Sequence, residues 1–241
     1  MMRHVYLYLA LFCLAAIPAL AADKKTVSGV TEPFMDVTLS SPVQGTINIE
    51  HFKEGEEVTT GQVLLALDSK LEELETQRRK EVMERNRTDL DATKQLFEKS
   101  NAVSKDELDK RQMEYKVSVA EHGIAEEQLR RRKIIAPFSG TIMEIFLQLG
   151  AGCEPYQPLL RLVDTKQCYF VGHIEGTAAV DLKIGQDVTI EVAGTKDTVK
   201  GKLSFIAPVV DSASGLAKIK ALFDNTDGKV RPGLSAKMIL E

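Results

Sequence analysis

The sequence predicts a mainly β protein whose first β module is split in two by a long α-helical hairpin. Three observations carry this: a stretch almost without Gly and Pro, two capping signals within it, and a short motif repeated on either side of it. No Pro occurs between Pro42 and Pro137, and Gly123 is the only Gly between Gly61 and Gly140. Short runs rich in β-formers and bounded by Gly and Pro fill most of the remaining chain.

At the N-terminus, Arg3 and His4 precede an apolar run from Val5 to Ile17, followed by Pro18 and Ala19-Leu20-Ala21. A basic start, an apolar middle and a small-residue ending are the signature of an export signal, with cleavage expected after Ala21 or Ala22. The alternative is a retained anchor, since Val5–Ala22 is close to the ~20 residues that span a bilayer. Bulky Phe12 before Cys13 argues against lipid attachment there.

The motif comes next. Pro42-Val43-Gln44-Gly45-Thr46-Ile47 precedes Gly55 and closes on Val63-Leu64-Leu65-Ala66-Leu67-Asp68; Pro137-Phe138-Ser139-Gly140-Thr141-Ile142 precedes Gly150 and closes on Leu159-Leu160-Arg161-Leu162-Val163-Asp164. The offset from Pro to the distant Gly is the same in both. Two such half-motifs must pair to bury their apolar faces.

Between them, residues 70–133 hold about half of the chain's charged residues in near-even balance. That is the composition of solvated helices. Ser69-Lys70-Leu71-Glu72 and Ser104-Lys105-Asp106-Glu107 each read as a Ser-x-x-Glu capping box, and Val103 with Leu108 as a hydrophobic staple around Ser104. Ser100-Asn101 ends the first helix, which places the turn near residues 100–104. Arms of about 30 residues give a hairpin roughly 45 Å long. Glu75–Arg79, Glu81–Arg85, Asp106–Lys110 and Glu107–Arg111 are expected i,i+4 pairs, each worth ~0.2–0.5 kcal/mol. Apolar positions are sparse: Leu71, Leu74, Val82, Leu90 and Phe97 on one arm, and Leu108, Tyr115, Val119 and Leu129, spaced as a coiled-coil seam, on the other. The pattern fits either a marginal two-helix coiled coil or a hairpin shaped to pack on another protein's helices. Arg130-Arg131-Arg132-Lys133 reads as complementing a helix C-terminus.

Composition excludes other classes. A formal net charge of −4, 6% aromatics and no Trp argue against a nucleic-acid partner. His51, His122 and His173 are too scattered for a metal site, and Met83, Met113, Met143 and Met238 are far apart. No Gly-x-Ser-x-Gly, phosphate-loop or His-Glu-x-x-His pattern occurs, so no enzyme activity and no cofactor are expected. Cys153 and Cys168 permit one disulfide in an oxidising compartment, and are equally compatible with two buried thiols.

The split Pro-x-x-Gly-Thr-Ile repeat resembles the two halves of a biotinyl/lipoyl-type domain. With the inserted hairpin it resembles the periplasmic adaptor, or membrane fusion protein, family (HlyD type, including the RND-like efflux adaptors). The C-terminal third agrees through Tyr169-Phe170-Val171, Gly185-Gln186-Asp187-Val188, Gly201 to Pro208, Val210-Asp211, Asn225 to Gly228 and Arg231-Pro232-Gly233-Leu234, a series similar to that family's β-barrel domain. The resemblance covers about residues 27–241. It implies a split lipoyl-like β-sandwich plus a C-terminal β-barrel, with boundaries at 1–22 (signal peptide or anchor), 27–69 and 134–164 (the half-motifs), 70–133 (hairpin) and 165–241 (barrel).

The resemblance further implies a periplasmic, inner-membrane-associated homo-oligomer that links an inner-membrane transporter of RND or ABC type to an outer-membrane channel, without catalysis or cofactor. Members that meet trimeric channels carry an Arg, a Leu four residues later and a Ser seven further on near the hairpin tip. Here Thr93, Phe97 and Ser104 occupy those positions, with Lys94 beside the first. The partner-binding residues implied at the tip are Phe97, Val103, Ser104 and Leu108. Many members continue past the barrel into a membrane-proximal domain, which the ending at Glu241 leads us to expect is absent. Lys70 sits near the modified Lys of a carrier domain, but in the first turn of the predicted helix. A non-transport envelope scaffold with a self-associating hairpin is the alternative reading.

Overall fold

A computed structural model describes residues 25–100, 102–195 and 198–240. The expected export signal lies outside the described residues. The elements in chain order are β1 (Thr26–Ser40), β2 (Gly45–Glu50), β3 (Glu57–Val58), β4 (Val63–Leu67), α1 (Lys70–Ser100), α2 (Lys105–Arg130), β5 (Lys133–Ile135), β6 (Gly140–Ile145), β7 (Gly152–Cys153), β8 (Pro158–Glu175), α3 (Gly176–Ala179), β9 (Asp187–Val192), β10 (Thr198–Ile206), β11 (Leu216–Asp224) and β12 (Ser235–Leu240). The expected fold class is the observed one: mainly β, with one helical hairpin.

The two half-motifs build one sandwich with internal two-fold likeness. Gly45-Thr46 of β2 pairs with Cys153-Gly152 of β7, and Gly140-Thr141 of β6 pairs with Val58-Glu57 of β3. Ile47 then faces Leu67 across β2–β4, as Ile142 faces Leu162 across β6–β8. All four side chains are buried in one core with Leu64, Leu159 and Leu160. Matching glycines after each motif, Gly55 at φ 87° and Gly150 at φ 84°, turn the chain through the left-handed region that a Cβ disfavours. β4 and β5 are antiparallel neighbours, so the hairpin leaves and re-enters the sandwich at one place.

Six strands close a barrel in the order β1-β12-β9-β10-β11-β8, with β8 pairing back to β1. Alternation explains it: along β11, Ala217, Ile219, Ala221 and Phe223 point inward while Lys218 and Asp224 are exposed. Phe170, Ile190, Leu203 and Met238 complete the core. Cys168 lies in this core and Cys153 in the sandwich core, both as free thiols, so the disulfide alternative is removed. Burial pushes the Cys168 thiol up to about 11.

β1 and β8, with 15 and 18 residues, run through both modules. Where they pass from one to the other the register jumps from Pro33↔Cys168 to Met35↔Asp164, leaving Thr165, Lys166 and Gln167 opposite Phe34. Asn225 secures this bulge. Its Nδ2 donates to the Thr165 and Val230 carbonyls at 2.9 Å, its Oδ1 accepts from the Val230 N–H at 2.9 Å, and its own N–H donates to the Lys166 carbonyl at 2.8 Å. Outside the bulge Phe34 stacks on Tyr169 with centroids 5.6 Å apart.

Candidate functional site: the helical hairpin and its tip

The hairpin holds together along a heptad seam with few large apolar residues. On α1 the half-buried positions step by four and three through Glu72, Thr76, Arg79, Met83, Asn86, Leu90, Thr93 and Phe97. On α2 they run through Leu108, Arg111, Tyr115, Ser118, His122, Ala125, Leu129 and Arg132, with only Ser118 and Ala125 fully buried. Small side chains at those two points bring the helices together, and polar ones fill the remainder. This revises three expected positions: Leu71, Leu74 and Val119 face outward at 79%, 56% and 41% exposure. The base of the hairpin fixes the register, and that register turns them away from the partner helix.

Ion pairs cross the seam. Arg79 binds Glu75 on its own helix at 2.7 Å and Glu121 on α2. Hydrogen bonds from Arg78 and Arg79 hold the Glu75 carboxyl down to about 2. Asn86 Nδ2 donates to the Glu114 carbonyl at 3.4 Å. At the base, Arg132 donates to the Gln44 carbonyl at 2.8 Å and binds Glu72, tying α1 to the residue just before β2. Arg130 and Arg131 both bind Glu127, whose carboxyl they hold down to about 2. Three of the four cations in the basic run are therefore occupied by carboxylates of the hairpin's own helices. Among the four expected i,i+4 pairs, Glu75–Arg79 and Glu107–Arg111 form, the second at 3.0 Å. Glu81 accepts from Gln77 instead.

The two caps differ. Ser104 is an extended N-cap whose Oγ accepts from the Glu107 N–H at 3.1 Å, as expected, while the Glu107 carboxylate turns to Arg111. At α1 the expected box is displaced: Ser69 Oγ donates to Glu73 at 3.0 Å, Asp68 accepts from the Lys70 N–H at 3.3 Å, and Glu72 is committed to Arg132. The interhelical pair outcompetes the local one.

Thr76 Oγ1 is buried on the seam without a hydrogen-bond partner. A hydroxyl desolvated to no purpose destabilises, so Thr76→Val should raise hairpin stability by about 1 kcal/mol. Thermal denaturation followed at 222 nm tests this, and a lower midpoint would reveal a partner for the hydroxyl.

At the tip, Phe97 and Leu108 end the seam on facing helices, both half-buried. Val103 is half-buried in the turn and Ser104 is exposed. Leu96, half-exposed beside them, was missed because it lies off the predicted seam. Its carbonyl accepts from Ser100 Oγ at 2.8 Å. Thr93 Oγ1 donates to the Asp89 carbonyl at 2.8 Å, so that side chain serves its own helix, and Lys94 lies 4.0 Å from Glu98. The tip thus offers a small apolar surface edged by Lys94, Lys99 and Lys105. Among the described residues no group of His, Cys, Asp and Glu is placed to hold a metal ion, and no helix is long and apolar enough to cross a membrane.

Comparison with known proteins follows the same division. Residues 35–165 match the family described as RND MFP, barrel-sandwich hybrid domain, and residues 173–241 match the CusB-like, beta-barrel domain. The chain is 27% identical over 219 residues to a protein of Haemophilus influenzae described as uncharacterized, the match covering 88% of this chain and 56% of that protein. It is 24% identical over 235 residues to the solvent efflux pump periplasmic linker SrpA of Pseudomonas putida, covering 88% and 60%. The chain therefore spans less than two thirds of the length of these curated relatives. Among solved structures, a MacA-MexA chimeric protein containing the Pseudomonas aeruginosa MexA alpha-hairpin domain superposes with a TM-score of 0.78 at 21% identity, covering 90% of this chain and 78% of that one. The membrane fusion protein Spr0693 of Streptococcus pneumoniae superposes with a TM-score of 0.70 at 18% identity, covering 90% and 98%.

Proposed function

The chain belongs to the RND membrane fusion protein family, and from that premise we propose that it is the periplasmic adaptor of a tripartite efflux or secretion system. It binds an inner-membrane transporter through its β modules and an outer-membrane channel through its hairpin tip, and several copies pack into a ring. Relatives described as efflux pump periplasmic linkers support the adaptor role, and no reaction of its own is assigned. The observation that carries the reading is the hairpin: two helices of 31 and 26 residues, fixed at one base and presenting Phe97, Val103, Ser104 and Leu108 at the far end.

A tip that meets helical ends of a channel should tolerate size poorly and charge less. Photocrosslinking from position 104 in intact envelope, with mass spectrometry of the captured partner, is expected to return an outer-membrane channel. Ser104→Asp keeps an oxygen for the N-cap and adds a charge, whereas Ser104→Ala removes the cap and adds none. Ser104→Asp is expected to weaken channel capture by roughly tenfold, the equivalent of about 1.4 kcal/mol, with Ser104→Ala closer to the parent. Capture of only further copies of the chain, or of cell-wall-associated proteins, would replace the adaptor with the scaffold reading.

A further inference from the structure

The sandwich has two strand edges whose backbone groups the adaptor reading leaves unused. β5 is the outer strand of its sheet and, among the described residues, pairs only with β4. Leu67 N–H donates to the Arg132 carbonyl at 2.8 Å and Ala136 N–H to the Gln62 carbonyl at 2.9 Å, so residues 132, 134 and 136 address β4. By the alternation of an antiparallel ladder, Lys133 and Ile135 turn their N–H and C=O groups the other way. β1 repeats this on the facing sheet: a register shift separates Leu39↔Leu160 from Ser40↔Pro158, just as one separates Ile134↔Leu65 from Ile135↔Val63. The likeness continues past the strands, where Tyr156 N–H donates to the Ser41 carbonyl at 2.7 Å as Gly61 N–H does to the Ala136 carbonyl at 2.8 Å. Thr38 and Ser40 therefore hold the places of Lys133 and Ile135, with their backbone groups turned away from β8.

The two edges line one groove of about 180 Å³, with Leu39, Ser40 and Pro42 on one wall and Lys133, Ile134 and Ile135 on the other. Arg130 and Arg131 stand at its end and share the carboxylate of Glu127, while the Lys133 side chain is exposed. Three cations beside one carboxylate leave this end of the groove positive. The chemistry of an occupant follows. Outward N–H and C=O groups on both walls require another backbone in extended form, because a strand presents donors and acceptors at that spacing. Its side chains alternate, so an apolar one meets Leu39 and the 42% exposed Ile135 while an acidic one meets Lys133 and Arg131. A lysine on a strand edge turns most other strands away, and favours one that brings a carboxylate.

We propose that the groove between β1 and β5 is a docking site for an extended, acidic segment of a partner polypeptide, which adds as a strand along the β5 edge. The site lies on the sandwich at the base of the hairpin, and stands or falls independently of what the tip binds.

A random nine-residue peptide library displayed on phage, panned against the full chain, tests this. The recovered sequences are expected to alternate apolar residues with Asp or Glu. A synthetic peptide of the commonest sequence should lose at least tenfold in affinity on Lys133→Glu and on Ile135→Pro, and nothing on Lys105→Glu at the hairpin tip. Ile135→Pro removes an outward donor only, since the ladder to β4 uses residues 134 and 136, and Lys133→Glu changes an exposed side chain. In the unsubstituted chain the bound peptide should slow amide exchange at Lys133 and Ile135 and leave Ile134, already turned to β4, unchanged. Recovery of no sequence or of sequences without that alternation, binding that survives both variants, or unchanged exchange at 133 and 135 overturns the proposal. So does a photocrosslinker at position 135 that, in intact envelope, captures only further copies of this chain.

Discussion

Asn225→Ala is expected to lower the melting temperature by roughly 12 °C or more, by far the largest effect of any single polar truncation in the barrel. The side chain is 3% exposed and makes three hydrogen bonds of 2.9 Å, two as donor and one as acceptor. Removing it strands the Val230 N–H and C=O, both bonded to it in buried surroundings, and takes from the half-buried Thr165 carbonyl its shorter donor, leaving only the Cys168 thiol at 3.6 Å. Each stranded group costs about 1–3 kcal/mol, so a total near 3 kcal/mol is a conservative sum. In a domain of this size about 1 kcal/mol moves the midpoint by roughly 4–8 °C. Thr226→Ala, one residue along and exposed, is the control. Equal midpoints for the two variants, measured by circular dichroism, would show that water replaces the amide. Because Thr165 belongs to the bulge between the modules, the loss should also loosen the junction, read as faster amide exchange at Lys166 and Gln167.

Gly140→Ala is expected to prevent the sandwich from forming. A Cβ built there lies 2.3 Å from the Val163 carbonyl oxygen and 3.0 Å from its carbon. Those are backbone atoms of the paired strand, which cannot swing aside as a side chain would. Relief requires separating β6 from β8 beside the Thr141↔Val163 pair, next to Ile142 and Leu162 in the core. A cost above about 4 kcal/mol, the range of severe core defects, is anticipated. Gly123→Ala in α2 is the opposite case: nothing lies within 4 Å of its added Cβ, and a helix gains about 0.8–1 kcal/mol from the exchange. Soluble, folded Gly140→Ala with a parental melting point would refute the argument.

That Gly140 opens the second half-motif explains why so much of the fold is visible in the chain. Gly-Thr-Ile recurs because each Ile enters one shared core and each Gly leaves room for a close neighbour, the β8 backbone at Gly140 and the Arg132 and Leu67 side chains at Gly45. Ser104 is readable for a related reason: a cap is local, and the Glu107 N–H that donates to it lies three residues on. The seam is readable only in part. Its positions hold Arg79, Asn86, Arg111, Ser118 and Arg132, whereas Leu71, Leu74 and Val119, which look like core, are exposed. A seam closed by ion pairs and small residues leaves only a sparse hydrophobic period, which Leu90, Phe97, Leu108, Tyr115 and Leu129 carry and which the polar positions between them interrupt. The α1 box failed through competition, since Glu72 has a partner in Arg132 sixty residues away. At the tip, Phe97 and Leu108 follow from heptad position, while Leu96 had no pattern to announce it.

The closure of the barrel also dictates an order of assembly in time. Thr26 in β1 pairs with Ile239 in β12, so the first and last strands among the described residues are partners. Contacts this far apart in sequence form late, while a helical hairpin, whose contacts are local, orders within microseconds to milliseconds. A chain emerging N-terminus first from a ribosome or a pore therefore completes its hairpin while β1 and β9 still wait for the strand that joins them. Until Ser235–Leu240 arrives, both keep an open edge, the kind on which other strands add. The final six-residue strand is thus a latch, and a truncation of a few residues there would leave a chain with a finished hairpin, an unsealed barrel and two edges free to aggregate.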